Sequence, residues 1–562
     1  MRALLLAAAL LAAAALPARA QDVAPGRAGE AAPGRAGEVA PGRAGEVTPG
    51  RAGEVTPGRA GEKVLRVSLN TELQVLDPIV TTINATRVFA YLVFDTLVGI
   101  DSQGAYRPQM LEGWEVGADR LTWRFRLREG LEFSDGTPVT AEDCVASLKR
   151  WARRESLGAQ MMRAAESLAA LDARSFELRL REPFAFVIEA LGKPGHTIPV
   201  IMPARIAEAP ADKAVTEIIG SGPFLFRRAE WRPGDRAPFH RNARYRPRAE
   251  PADGLAGGKR VSLDRVELVS MPDQATRVSA LLANEIDMLE IVPFHFIDRL
   301  RRSRGITIAR QRGVEQMQSI LSINHLTPPF NDIRMRRALQ AAIGQSDVMA
   351  SLGLPAGMAM EQCLSIYMCD APLSTDAGTE AYRGAGPERA RALLQEAGYK
   401  GEPVVLLHSE SSALLNPTGL VMADQMRRAG FNVDVRTSDY ATAAVRRMSK
   451  APAEQGGWNV MPIVWNGIDM VNPLSNPAIA NNCNAFNSGW HCEEATAALL
   501  RRLAVTADPA QQKALAEQLQ AGFHRNVNYV LGGQFAAPAA YRVEVTGVVP
   551  FAFPVFWNIE KR

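Results

Sequence analysis

The sequence is poor in several features that mark particular protein classes. Five cysteines in 562 residues exclude a small scaffold held together by many disulfides. A formal net charge of +4 argues against a dedicated nucleic-acid binder. The seven histidines show no paired metal-ligand spacing, and the HExxH and GxSxG motifs are missing. With 47% hydrophobic and 22% charged residues, the chain can nevertheless build a sizeable core.

Long apolar runs are also missing, except at the N-terminus. Met1-Arg2 gives a short positive start, an Ala- and Leu-rich run extends from Leu4 to Leu16, and residues 18–20 fit a small-x-small cleavage pattern. This order predicts a signal peptide over residues 1–20, the alternative being an uncleaved anchor. No cysteine precedes Cys144, so lipid attachment at a cysteine is not expected. The predicted location is the periplasm.

A short repeat follows the predicted signal peptide. Five copies of PGRAGE begin at Pro25, Pro33, Pro41, Pro49 and Pro57. The repeat is neutral and holds too little apolar surface to offset the entropy of ordering it. We therefore predict a disordered linker over residues 21–62, the alternative being a tether to the cell wall or to a partner.

The remaining residues alternate between strand and helix patterns. Thr140 and Asp143 form a capping box at the start of a predicted helix. In the C-terminal half, a helix between two short apolar strands predicts a βαβ unit with parallel strands. The predicted strands are 63–70, 121–128, 176–180, 403–407 and 431–435, and the predicted helices are 141–152, 387–397, 417–429 and 499–522. The chain is therefore expected to be mixed α/β, with at least two lobes.

A set of short motifs occurs in a fixed order along the chain. They are DTL at 95–97, YRPQ at 106–109, GWEV at 113–116, FSDGTPVTAED at 133–143, GSGPF at 220–224, DQATR at 273–277 and PPFND at 328–332. This order resembles the family 5 extracytoplasmic solute-binding proteins of ABC importers, the dipeptide, oligopeptide and nickel group. One departure is Asn284, which stands where the family usually has glycine.

The resemblance implies an α/β, bilobal periplasmic-binding-protein-like fold with an extra inserted domain and a cleft between the lobes. Hinge closure around that cleft is the expected motion. The implied domains are a discontinuous lobe I at 63–104, 215–315 and 538–562, an inserted domain at 105–214, and lobe II at 316–537.

Four of the cysteines form two close pairs. In an oxidising periplasm, we expect the disulfides Cys363–Cys369 and Cys483–Cys492. The alternative for the second pair is a metal site with the neighbouring His491. Cys144 remains unpaired, as a small buried residue of a helix.

The candidate ligand-binding residues lie mainly in one aromatic segment. Asp469 lies in the sequence between the aromatic residues Trp458 and Trp465 on one side and Phe486 and Trp490 on the other, and such a cluster either lines a cleft or belongs to the core. In peptide-binding members of the family, an acidic residue in the similar stretch meets the α-ammonium of the peptide. The resemblance therefore implies this role for Asp469, the alternative being a loop or helix cap. Asn324 is a further candidate ligand-binding residue.

These observations predict a binding protein that delivers a small solute, expected to be a short peptide, to the inner-membrane permease of an ABC importer. No nucleophile–base pair shows in the sequence, so no enzymatic activity, cofactor or metal is expected. A monomer without nucleic-acid partners is expected. The alternatives are a secreted hydrolase and a solute sensor that is not coupled to transport. The identity of the solute stays open, because fold does not fix ligand.

Overall fold

The computed structural model describes residues 61–480, 482–483 and 488–562. The predicted signal peptide and nearly all of the predicted linker lie outside these residues. Over the described ranges the chain has twenty strands: β1 Val64–Ser68, β2 Val98–Ile100, β3 Tyr106–Pro108, β4 Leu111–Val116, β5 Thr122–Leu127, β6 Ala165–Ala170, β7 Ser175–Leu180, β8 Phe224–Phe226, β9 Arg236–Arg241, β10 Arg265–Val269, β11 Met288–Leu289, β12 Ile306–Ile308, β13 Met317–Ile323, β14 Val404–Ser409, β15 Val433–Ser438, β16 Val460–Asn466, β17 Tyr529–Phe535, β18 Ala540–Arg542, β19 Val545–Thr546 and β20 Glu560–Lys561.

The same described ranges contain helices of two kinds. The fourteen α-helices are α1 Asn84–Val93, α2 Ala141–Trp151, α3 Ser156–Ala164, α4 Val187–Leu191, α5 Ala204–Ala207, α6 Gln274–Leu282, α7 Ile297–Arg301, α8 Ile333–Ala342, α9 Gln345–Ala350, α10 Pro387–Ala397, α11 Leu415–Arg428, α12 Tyr440–Arg446, α13 Glu494–Val505 and α14 Pro509–Asn526. The short 3₁₀ helices are Arg228–Glu230, Phe294–Phe296, Gly313–Glu315, Thr379–Tyr382, Ala453–Gln455 and Gly467–Asp469.

A seven-stranded sheet in the order β12-β18-β11-β1-β10-β9-β8 gathers strands that are far apart in sequence. Its central strand β1 confirms the strand predicted over 63–70, and it pairs in parallel with β10 and β11. Leu65 and Val67 of β1 are fully buried. Side chains on both faces of β1 are covered, as is usual for strands with parallel partners.

A second sheet has five strands in the order β15-β14-β16-β13-β17. β14 and β15 are parallel, with Val404 opposite Val433, and α11 connects them. The predicted βαβ unit is therefore confirmed. β13 runs antiparallel to both β16 and β17, which places the end of β16 beside Met317.

A third, antiparallel sheet, β4-β5-β7-β6, is packed against α2. The predicted capping box of α2 is present: the Asp143 backbone N–H donates to Thr140 Oγ1 (3.4 Å), and the Thr140 N–H donates to an Asp143 carboxylate oxygen (2.8 Å). Cys144 is buried in the same helix without a disulfide partner. Caps of this kind depend only on local sequence, which is why the prediction holds.

The single helix predicted over 499–522 is wrong. The structure has two helices there, α13 and α14, because the side chain of Asp508 caps the Gln511 N–H and Pro509 takes the first helical position of α14. Proline lacks the N–H that a continuous helix would need at this point. Asn284, which stands where the family usually has glycine, adopts a left-handed conformation (φ 65°). Asparagine tolerates this conformation better than most residues, so it can replace glycine at this position.

Both expected disulfides are present in the structure. The Cα atoms are 5.9 Å apart in Cys363–Cys369 and 4.3 Å apart in Cys483–Cys492. The sulfurs of the second pair are therefore bonded to each other, which leaves no thiolate beside His491 to bind a metal. Burial lowers the pKa of His491 to about 4, so its imidazole is neutral at physiological pH.

Candidate functional site

A cavity of about 960 Å³ opens between the seven-stranded and the five-stranded sheets. This size lies within the usual range of ligand pockets. We call it the cleft. Its walls come from residues 69–75 after β1, 79–84 leading into α1, 153–154 after α2, 196–197, 231–237 around the start of β9, 268–272 at the end of β10, Arg277 of α6, Met317 at the start of β13, 411–415, 439–448 around α12, and 463–466 at the end of β16.

Trp465 lines this cleft, as the sequence analysis expects of a ligand-binding residue. It is the penultimate residue of β16 and lies opposite Gln318 of β13, so the five-stranded sheet fixes its position. Its ring lies 6.0 Å from the ring of His196, another lining residue. The indole Nε1 is buried and has no hydrogen-bond partner within the described part of the chain. Trp465 therefore contributes to the wall of the cleft and carries a buried N–H that lacks an acceptor in the described chain.

Asp469 lies four residues beyond Trp465, at the end of the 3₁₀ helix that follows β16. Its carboxylate is surrounded by cationic and N–H groups. Arg87 Nη1 lies 3.4 Å and His196 Nε2 3.1 Å from Asp469 Oδ2, and the His196 backbone N–H donates to Oδ1 at 3.1 Å. Asp469 is not among the described residues that line the cleft. It borders a void of about 10 Å³ together with Lys193 and Gly195.

Helix α1 brings Arg87 to this carboxylate. The Arg87 guanidinium is almost completely buried and lies 4.2 Å from the ring centroid of Phe553. Its Nη2 donates to Asn84 Oδ1 (2.9 Å), which also accepts from Asn466 Nδ2 (3.1 Å). These contacts join α1, which packs against β8 of the seven-stranded sheet, to the end of β16 in the five-stranded sheet. We call Arg87, His196 and Asp469 the Asp469 cluster.

The charges in this cluster determine its protonation. Burial alone would raise the pKa of the Asp469 carboxyl, but His196, Arg87 and Lys193 outweigh it and hold that pKa below its usual range. Burial lowers the pKa of His196. A carboxylate only accepts hydrogen bonds, so His196 Nε2 carries the proton that it shares with Asp469, and Nδ1 is the unprotonated nitrogen at neutral pH. His196 lines the cleft and contacts Asp469, so it lies between the cleft and the carboxylate.

The other predicted ligand-binding residues lie elsewhere. Asn324 is fully buried, and its Nδ2 donates to the Trp458 carbonyl at 3.0 Å. Trp490 is buried with its ring 6.2 Å from that of Trp458, and neither Asn324 nor Trp490 belongs to the described lining of the cleft. Phe486 lies outside the described residues. The ligand-binding roles of these three residues stay predictions.

Sequence reasoning missed Arg87 and His196. They lie 382 and 273 residues before Asp469, and no local pattern links them to it. The only signal is that α1 carries an arginine on a helix whose other residues are largely apolar. A buried arginine needs a counter-charge, but the sequence does not identify which carboxylate supplies it.

Two kinds of feature are absent from the described residues. No helix in that part of the chain is both long enough and apolar enough to cross a membrane. Nor do its His, Cys, Asp and Glu side chains form a group of three that is placed to hold a metal ion.

Comparison with known proteins places the chain in a family. Residues 105–487 match the model of bacterial extracellular solute-binding proteins, family 5 middle region. A probable peptide ABC transporter periplasmic-binding protein, y4tO of Sinorhizobium fredii, is 34% identical over 505 residues, which cover 89% of this chain and 93% of that protein.

Solved structures share the fold. DppA of Helicobacter pylori in complex with the peptide STSA superposes with a TM-score of 0.73 at 19% identity, covering 89% of this chain and 98% of its own. AgaA of A. tumefaciens R10 in complex with agropinic acid gives a TM-score of 0.73 at 22% identity, covering 89% and 99%. These likenesses confirm the bilobal periplasmic-binding fold. The chain therefore belongs to family 5 of the bacterial extracellular solute-binding proteins, and it captures a solute outside the cytoplasm for an ABC transporter.

Proposed function

We propose that the solute is a short peptide, bound in the cleft and delivered to the permease subunits of an ABC importer. The observation that carries this proposal is the similarity over 89% of the chain to a probable peptide-binding relative. The cleft supports it, since about 960 Å³ accommodates several residues of extended peptide. Backbone hydrogen bonds can hold such a peptide while its side chains occupy permissive pockets.

In this proposal Asp469 anchors the α-ammonium of the peptide. His196 lies between the cleft and the carboxylate, so the ammonium has to displace the imidazole to reach Asp469. A charge-assisted hydrogen bond from the ammonium would then replace the one from His196. Binding would thereby exchange contacts in a cluster that joins two sheets, which couples the solute to the relative position of the lobes.

The proposed domain organisation follows the boundaries expected from the family. Lobe I (63–104, 215–315 and 538–562) would contain the seven-stranded sheet, the inserted domain (105–214) the four-stranded sheet, and lobe II (316–537) the five-stranded sheet. The strand positions support this division, because β18 at Ala540–Arg542 joins the sheet that β1 begins. We further propose that residues 1–20 direct export, that residues 21–62 form a linker, and that the protein acts as a monomer.

The members of the family are solute-binding proteins rather than enzymes, and we propose no catalytic step. The second candidate function is that of a solute sensor that is not coupled to a permease. Vesicles containing a permease encoded beside this chain would separate the two, since only a transport protein makes uptake of peptide depend on its presence.

Calorimetry tests the peptide and its anchor together. The ligands are tripeptides with neutral, acidic and basic side chains, and the tightest binder is also measured after N-acetylation, which removes its ammonium. If Asp469 holds the ammonium, acetylation of the peptide and the substitution Asp469→Asn each cost about 2–5 kcal/mol of binding free energy. The two changes made together should cost no more than either change alone, because both remove the same interaction. If Asp469→Asn folds poorly, the same binding measurements are made on the double variant Arg87→Met, Asp469→Asn, which also removes the buried guanidinium that lost its carboxylate. If the acetylated peptide binds with full affinity, the proposal that Asp469 anchors the ammonium is wrong. If no tripeptide binds, the proposal that the solute is a short peptide is wrong.

A further inference from the structure

The cleft is lined by more positively charged than negatively charged side chains. Among the described residues that line it, six are arginines and three are carboxylates, and none is a lysine. The arginines are Arg153, Arg154, Arg232, Arg236, Arg277 and Arg447, and the carboxylates are Glu72, Asp235 and Asp439. The cleft therefore carries an excess of positive charge, although the chain as a whole is close to neutral.

Each of the three carboxylates already has a partner in the protein. Asp235 lies 3.1 Å from Nε of Arg236, itself one of the six arginines. Asp439 caps α12 by accepting from the Thr442 N–H at 3.0 Å, and Glu72 accepts from the Gly234 N–H. None of these contacts joins a carboxylate of the cleft to Arg153, Arg154 or Arg447.

Several of the arginines have no such counter-charge. Arg153 and Arg154 follow α2 and Arg447 follows α12, and none of the three forms an ion pair with a carboxylate of the described chain. Nε of Arg447 is buried without a hydrogen-bond partner within that same part of the chain. Within the described residues, the Arg232 guanidinium donates to the backbone carbonyl oxygens of Ala229 (2.8 Å) and Trp231 (3.4 Å).

Two buried N–H groups of lining residues also lack hydrogen-bond partners within the described part of the chain. Nε1 of Trp465 is a buried N–H that finds no acceptor among the described residues, and Nε of Arg277 is in the same state. Neither group is able to accept a hydrogen bond. A buried donor without a partner costs about 1–3 kcal/mol, so a solute whose acceptors reach these N–H groups would remove that cost.

We propose that the cleft selects a solute carrying two or more carboxylates, bound by Arg153, Arg154 and Arg447 with the indole N–H of Trp465. The arginines lose water when the solute covers them, and a carboxylate offsets that loss with charge-assisted, often bidentate hydrogen bonds. A cationic side chain at the same place is repelled and desolvated without compensation. This inference rests on the proposed function in one respect only, namely that the cleft is the solute site.

The experiment compares peptides with acidic, neutral and basic side chains, of which the Glu and Gln peptides have nearly the same shape. The probes are Ala-Glu-Glu, Ala-Gln-Gln and Ala-Lys-Lys, with glutarate as a dicarboxylate that is not a peptide, each measured by calorimetry on the full-length protein. We expect Ala-Glu-Glu to bind at least tenfold more tightly than Ala-Gln-Gln and Ala-Lys-Lys to bind more weakly than both. The advantage of Ala-Glu-Glu should shrink as ionic strength rises, because salt screens partly exposed charges.

Variants show whether the named arginines supply this preference. Arg447→Gln and Arg153→Gln should each weaken Ala-Glu-Glu at least tenfold while changing Ala-Gln-Gln less than twofold. The matched control is Arg501→Gln on α13, an exposed arginine outside the cleft that pairs with Glu494 at 2.6 Å and should change neither. Equal losses for both peptides would overturn the proposal, because the variants would then affect the fold rather than the charge.

The outcomes separate this inference from the proposed function. If Ala-Gln-Gln binds as tightly as Ala-Glu-Glu, the preference for acids is wrong and the peptide function stands. If glutarate binds through Arg447 and no peptide binds, the preference stands and the peptide function is wrong. If neither the peptides nor glutarate bind at millimolar concentration, both are wrong.

Discussion

Replacing Asp469 by asparagine removes the counter-charge of a buried arginine. The side chains of Arg87 and Asp469 are 1% and 6% exposed, and their charged groups lie 3.4 Å apart. Removing one partner of a buried pair typically costs about 3–5 kcal/mol, because the other charge stays buried without compensation. Asparagine keeps the shape of the side chain and can still accept from the His196 N–H. We therefore expect Asp469→Asn to lower the free energy of unfolding at neutral pH by about 3–5 kcal/mol.

The pH dependence of this loss follows from the direction of the pKa shift. The folded state holds the pKa of Asp469 below its ordinary value, which is about 3.9 in an unfolded chain. The stabilisation from this carboxylate is therefore fully present above about pH 4 and is lost as the pH falls through the folded-state pKa. The difference in unfolding free energy between wild type and Asp469→Asn should be largest near pH 7 and should shrink below about pH 4.

Denaturant unfolding without added solute, followed by circular dichroism from pH 3 to pH 8, measures both effects. Arg87→Met in the Asp469→Asn background should recover much of the lost stability, because the buried guanidinium that lost its carboxylate is then removed as well. Arg501→Gln, which breaks an exposed pair, is the matched control and should cost less than about 1 kcal/mol. If Asp469→Asn is as stable as the wild type at pH 7, or if the double variant is less stable than Asp469→Asn, the reasoning from the buried pair is refuted.

Three further predictions concern other parts of the chain. Reduction of both disulfides should lower the free energy of unfolding by about 2–3 kcal/mol for each short loop. In the unreduced protein, Cys144 should be the only thiol that reacts with a thiol reagent, and it should react only after denaturation. A second reactive thiol in the unreduced protein would contradict this. Gly195→Ala should destabilise the protein by more than about 1 kcal/mol, since the added Cβ would lie 1.9 Å from Asp469 Oδ1, and an unchanged melting temperature would argue against this packing. N-terminal sequencing of exported protein should begin near Gln21, whereas a start at Met1 would exclude signal-peptide cleavage.

The sequence determined those parts of the structure that depend on near neighbours. The capping box of α2 is predictable because Thr140 and Asp143 are three residues apart and bond to each other's backbone. The parallel pair β14 and β15 follows from two apolar strands with one helix between them. The disulfides follow from short separations in an exported chain. The helix boundary at Pro509 is equally local, because Asp508 and Pro509 are typical of a helix start, and the prediction of one continuous helix over 499–522 is wrong because it does not take them into account.

The candidate site, in contrast, was decided by the tertiary structure. Trp465 and Asp469 are conspicuous in the sequence, but periodicity does not show that one lines the cleft and the other contacts Arg87 behind it. The partners of Asp469 come from 382 and 273 residues away, and the uncompensated arginines of the cleft from three distant segments. Electrostatic interactions depend on distance in space and on burial, and neither is encoded in a local pattern of residues. For this reason the sequence alone was enough to predict a solute-binding fold, while the charge of its cleft emerged only once the chain was folded.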